Sequence, residues 1–122
     1  MIFKKSVLYD EKFQLEIEPN TTNEYGLHIF GDNHVLVRKI SCMVSCKDVE
    51  RKVFELKVCN YSKAINIFTN MVEYNSQTKI ECNFDPGQQI CAKGLISFTL
   101  RNLSNSKIKV KIRTEGLQSG RA

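Results

Sequence analysis

Tryptophan is absent from this sequence, and proline and histidine occur only twice each. With His28 and His34 alone, six positions apart in a polar neighbourhood, imidazole-based catalysis or metal binding has little to build on, and both read as surface or edge residues. No apolar run approaches the roughly 20 residues that a membrane helix needs, so no membrane partner is expected. The opening MIFKKSVLYDEK lacks an apolar stretch of signal-peptide length, which places the expected location inside the cell, cytoplasmic or nuclear. Neither a GxSxG nucleophile turn nor a GxxxxGK phosphate loop occurs. Glu16 and Glu18 read as one wet strand face rather than an acid–base pair. The expectation is a protein with no catalytic residues, no metal and no cofactor, that is, not an enzyme.

Acidic residues are scarce at one end. Residues 93–122 hold seven of the eighteen Lys and Arg but one of the thirteen Asp and Glu, so the formal charge of +5 is concentrated there.

Five cysteines are present, at positions 42, 46, 59, 82 and 91. Each lies in an apolar alternating run, which fits reduced, buried thiols. A disulfide, or a zinc site using Cys42 and Cys46, is the alternative, but structural zinc sites pair two close ligand couples. On one strand, positions 42 and 46 would lie about 13 Å apart, too far for one metal.

Hydrophobic alternation with period two runs through most of the chain. Its clearest stretch is Leu95 to Arg113. Ile96, Phe98 and Leu100 alternate with Ser97, Thr99 and Arg101; after a polar turn over Asn102–Ser106, Ile108, Val110 and Ile112 alternate with Lys107, Lys109, Lys111 and Arg113. This predicts a β-hairpin whose six apolar residues are core. Upstream, a short strand near Ile2–Tyr9 is followed by a second at Phe13–Ile17, ended by Pro19. Asn20–Gly26 reads as a loop, Leu27–Phe30 as a short edge segment, and His34–Cys46 as the longest strand, with Val35 and Val37 on the face opposite Leu36, Ile40, Cys42 and Val44. Residues 47–59 fit either a helix capped by Asp48 or a strand carrying Phe54, Leu56 and Val58, and the β-branched and aromatic content favours the strand. Strands at Ile65–Val72 and Lys79–Phe84 follow. Asp85-Pro86-Gly87 reads as a turn, Ile90–Ala92 as a bridge with a bulge at Gly94, and Gly116–Ala122 as a frayed end.

About eight short strands and no clear helix predict an all-β jelly roll or β-sandwich of antiparallel strands. One domain spans 1–116 and a flexible tail 117–122. Three Asn-x-Ser/Thr triplets begin at Asn20, Asn60 and Asn102, all in expected turns where these residues recur for backbone reasons. The partner-contacting set expected from charge is Arg101, Lys107, Lys109, Lys111 and Arg113. On a strand, alternate basic residues recur about every 7 Å, similar to the phosphate spacing of a nucleic-acid strand. An acidic protein surface would serve as well, and lysines on a strand also protect an exposed edge.

In this order the segments MIFKKSVLYDEKFQLEIE, HVLVRKISCMVSCKDVERKVFELKVCNYSKAINIFTNMV and FDPGQQICAKGLISFTLRNLSNSKIKVKIRTEG resemble the nucleoplasmin-like core domain over about residues 2–116. The chain departs from that pattern where Lys4 or Lys5 replaces an early glycine, in an insertion over Asn20–Asn33, and in lacking an acidic tract. The resemblance implies a jelly roll that assembles into homo-oligomeric rings of five and binds partners as a chaperone without catalysis. Two other classes fit the same strands. One is a viral structural protein, as a capsid, capsid-decoration or fibre component, trimeric in the decoration case and located in the virion. The other is an Ig-like intracellular interaction domain.

Overall fold

The computed structural model describes residues 6–29, 34–45, 52–60, 65–74, 77–90 and 94–119. Expectations for Ile2–Lys5, Cys46, Asp48 and Cys91, for the turns at 31–33, 61–62 and 75–76, and for 120–122 lie outside these residues. Eight strands follow in order: β1 (Ser6–Ile17), β2 (Thr22–His28), β3 (His34–Ser45), β4 (Lys52–Asn60), β5 (Ile65–Tyr74), β6 (Gln77–Ile90), β7 (Leu95–Asn102) and β8 (Ile108–Ser119). They form two four-stranded sheets, ordered β1-β8-β3-β6 and β2-β7-β4-β5, and every pairing is antiparallel. No helix occurs among the described residues.

This order is that of an eight-stranded jelly roll, two Greek keys wound into a double sheet. Among the described strands, β4 and β5 are the only consecutive pair that hydrogen-bond to each other. Every other connection crosses from one sheet to the other. The expected hairpin of β7 and β8 is therefore overturned: the two strands lie in opposite sheets, and their apolar faces meet across the core instead of side by side. Ile96, Phe98, Leu100, Ile108, Val110 and Ile112 are all buried, as the alternation predicts. Each such side chain contributes about 1.5–3 kcal/mol relative to exposure.

The crossing between β7 and β8 is held by a buried polar residue. Asn102 is fully buried, and its Nδ2 donates to the carbonyls of Ile17 (3.2 Å), Glu18 (3.2 Å) and Ser106 (2.9 Å). Its Oδ1 accepts from the Ser104 amide and hydroxyl. The neighbouring β1–β2 crossing rests on this arch through Asn20 N–H to the Ser104 carbonyl and Asn102 N–H to the Thr21 carbonyl. Asn20 itself has φ of 54°, a left-handed conformation that asparagine tolerates.

Other local expectations are corrected. The two short amino-terminal strands are one, because all twelve residues of β1 pair with β8 in unbroken register. The polar stretch read as a loop enters β2 at Thr22, where Tyr25 and Leu27 pack partly against the core. The register of β3 shifts between Val37 and Lys39 against both neighbours. The extra residue, Arg38, reverses the facing, so Val35, Val37, Ile40, Cys42 and Val44 are all buried on one side. The Asp85-Pro86-Gly87 turn does not form. These residues lie inside β6, in the unpaired stretch opposite Arg38, and β6 is a sheet edge, where proline is tolerated. Residues 52–60 form a strand, with Phe54, Leu56 and Val58 buried. Gly116, Leu117 and Gln118 extend β8 between β1 and β3, so the chain is paired beyond the point where a tail was expected.

Candidate partner-binding face

Period two on β8 turns Ile108, Val110, Ile112 and Thr114 inward and leaves Lys109, Lys111, Arg113 and Glu115 on the outer face of the β1-β8-β3-β6 sheet. The flanking strands fix what each cation meets. Lys109 sits between Glu16 and Ser45, Lys111 between Gln14 and Met43, and Arg113 between Lys12 and Ser41. Lys107, just before the strand, bridges Glu16 (3.3 Å) and Glu18 (3.2 Å). Those two carboxylates thus hold a lysine, and Glu18 then Glu16 push its pKa up.

Four of the five expected contact residues therefore share one face. Arg101 does not: it projects from the outer face of the other sheet, 3.9 Å from Glu55. Its place on β7 suggested a neighbour of β8, and the cross-sheet connection separates them.

Strand order also brings in three lysines that sequence reasoning missed. Lys12 from β1, Lys39 from β3 and Lys79 from β6 join Lys111 and Arg113 around a shallow hollow of about 570 Å³, in which Gln14, Ser41, Met43 and Glu115 also take part. Their outward phase could be read from alternation, but their meeting depends on β8 lying between β1 and β3.

The face is partly neutralised from within. The Arg113 guanidinium grips Asp10 with two hydrogen bonds, Nε to Oδ1 at 2.9 Å and the terminal amine to Oδ2 at 2.7 Å, and lies 3.5 Å from Glu115. This fork holds the Asp10 carboxyl below the usual carboxylate range. Glu81 is lowered likewise by Lys79 (2.8 Å) and Lys39 (3.3 Å). Lys12, Lys109 and Lys111 make no salt bridge with a described residue. The arrangement thus offers a platform for an anion: three ammonium groups without a salt bridge to a described residue, beside cations already oriented by their carboxylates.

Other titratable groups are placed differently. Cys42 is buried in the core, which pushes its thiol up to about 12, and burial also raises Cys82. Cys42, Cys59 and Cys82 are free thiols. His28 closes β2 and His34 opens β3. Among the described residues, no group of three His, Cys, Asp or Glu is placed to hold a metal ion, and no helix is long and apolar enough to cross a membrane. A second cleft, of about 350 Å³, opens between β1 and β2 beside Tyr9, Glu11, Tyr25 and Gln118. Burial, with Glu11 and Tyr25 adding to it, pushes Tyr9 up to about 12.

No protein-family model matches this sequence, and no curated protein matches it significantly. Solved structures do match its fold. The chain is similar to a decameric BFDV capsid protein, with 10% identity and a TM-score of 0.50, over 96% of this chain and 99% of that one. It is also similar to a carbohydrate-binding module from a Ruminococcus flavefaciens family 9 glycoside hydrolase, with 12% identity and a TM-score of 0.51, over 85% and 97%. A third match is dimeric latent PorU from Porphyromonas gingivalis, with 10% identity and a TM-score of 0.53, over 92% of this chain and 13% of that one. The class is therefore the jelly-roll β-sandwich, a fold shared with viral capsid and carbohydrate-binding proteins.

Proposed function

We propose that this chain is a non-catalytic, self-assembling jelly-roll subunit of the shell-building kind, with the basic outer face of β1-β8-β3-β6 turned toward a polyanion. The observation that carries this reading is the complete jelly-roll strand order, matched nearly end to end on both sides by a capsid protein. Binding of a carbohydrate is less well supported. Phe13 and Tyr25 stack on each other at 3.8 Å and Phe13 meets Phe98 edge-on at 5.4 Å, so these rings are used in packing rather than offered as an open platform.

The nucleoplasmin-like resemblance leads to self-assembly too, as a ring of five. Mass in solution tests the shared claim and divides its versions. Light scattering across a wide concentration range is expected to show a species larger than one chain. A pentamer supports the ring, and a trimer or a larger closed particle supports the shell. A single-chain mass at the highest concentration overturns the proposal.

A further inference from the structure

Two large hydrophobic side chains are left in water among the described residues: Val7, 46% exposed, and Leu8, 85% exposed. Both lie at the start of β1, which has β8 on one side and, among the described residues, no strand on the other. An uncovered edge presents unpaired N–H and C=O groups to any other strand, and proteins blunt such edges with proline, bulges or charge. The far edge of the same sheet, β6, has Pro86 and a long irregularity opposite Arg38. β1 has neither device. Its twelve residues run without a register shift, and its charges are of both signs, Asp10, Glu11, Lys12 and Glu16.

That charge order rejects many strands but suits one in particular. We infer that β1 is a self-association edge, pairing antiparallel with β1 of a second copy about a two-fold axis through Glu11. In this register Asp10 of each copy faces Lys12 of the other, so one favourable pair forms twice. Tyr9 faces Phe13, Val7 faces Leu15, and Leu8 is covered beside Gln14. Moving the axis by one residue loses both Asp10–Lys12 pairs and sets Asp10 against Asp10, or Lys12 against Lys12, so a like pair is left with no unlike pair to offset it. Glu11 meets its own copy on the axis, but it points toward the open cleft between β1 and β2, where water remains available. The interface is isologous, as a two-fold requires, and it joins two four-stranded sheets into one of eight. Main-chain bonds supply the pairing, and side chains set its register. The inference rests on the self-assembly reading and names one of its contacts.

The full chain tests it. Glu11→Cys is expected to give a dimer on mild oxidation that reductant releases, beyond any seen with the parent's own cysteines. Gln14→Cys is expected to give none, since the two copies of position 14 lie about 20 Å apart along the strands. Lys12→Asp is expected to weaken self-association about tenfold, measured by sedimentation equilibrium, because two attractive pairs become repulsive. Adding Asp10→Lys removes the Asp10–Arg113 fork but restores unlike charges across the axis, and is expected to recover most of the loss, which general damage to the fold would not allow. If the parent self-associates, Lys12→Asp has no effect and Glu11→Cys forms no extra dimer, the edge inference is overturned and the assembly reading stands. If the parent has the mass of one chain throughout, both fall.

Discussion

Cys42 shows what one buried group does to the pH range of the fold. Its thiol is surrounded by core and is pushed from 9.0 up to about 12. The folded state therefore keeps its proton at pH values where the unfolded chain loses it. The sign follows: the contribution to stability is whole below pH 9 and is lost as pH rises toward 12. For one group the slope is about 1.4 kcal/mol per pH unit. Urea denaturation between pH 7 and 11 is expected to show falling stability above pH 9, and Cys42→Val is expected to flatten that fall. An equally steep decline in the variant would mean that other groups, Tyr9 foremost, account for it. The bland reading of Cys42 as a small hydrophobe was legible, since it sat in an alternating run. Asn60 and Asn102 were not. Each sits in a triplet that suggests a turn, yet both are fully buried, and their amides reach backbone in the opposite sheet, Asn60 to the Gln89 carbonyl at 3.2 Å and Asn102 to the Ile17 carbonyl. A polar letter in a sequence carries no sign that its hydrogen-bond acceptor lies 85 residues away, as it does for Asn102.

At the level of elements, alternation located most strands and failed where one residue changed the phase. Val35 and Val37 looked misplaced because period two was assumed to continue through Arg38. A bulge is a single extra residue, and nothing in the pattern separates it from a strand buried on both faces. Asp85-Pro86-Gly87 misled in the opposite way: its turn chemistry is real, but at an edge strand it relieves pairing instead of reversing the chain. Gly116 lies beside the same irregularity, paired with Val37 on β3 and Tyr9 on β1. A Cβ there would collide with the Leu36 carbonyl oxygen and press on the Leu36 carbonyl carbon and Val37 Cα, all backbone. No rotamer change relieves such a clash, so the β3–β8 pairing would have to open. Gly116→Ala is expected to cost about 3 kcal/mol or more in chemical denaturation. A loss below about 0.5 kcal/mol would place Gly116 in a loose end, as its sequence neighbourhood suggests.

For the molecule as a whole, strand order decides which charges act together. The carboxy-terminal excess of Lys and Arg was visible in the sequence, but it divides between two faces, with Arg101 on one and the β8 cations on the other. The β8 cations gain Lys12, Lys39 and Lys79 from three other strands, and no local pattern connects residues so far apart in the chain. This arrangement makes the polyanion proposal specific. Lys109 and Lys111 have no salt bridge with a described residue, so neutralising them strands no described carboxylate, whereas Lys107 is already held by Glu16 and Glu18. Lys109→Gln with Lys111→Gln is expected to weaken binding of a labelled single-stranded oligonucleotide in fluorescence anisotropy. It should also reduce the slope of log K against log salt by about 1.4, roughly 0.7 for each phosphate that is no longer neutralised. Lys107→Gln and Arg101→Gln should change that slope little, the first because its charge is engaged and the second because it faces away. If Arg101→Gln matches the double variant, binding does not run through this face. If the oligonucleotide fails to bind while polyglutamate binds with the same lysine dependence, the partner is an acidic protein surface and the face is confirmed with a different occupant.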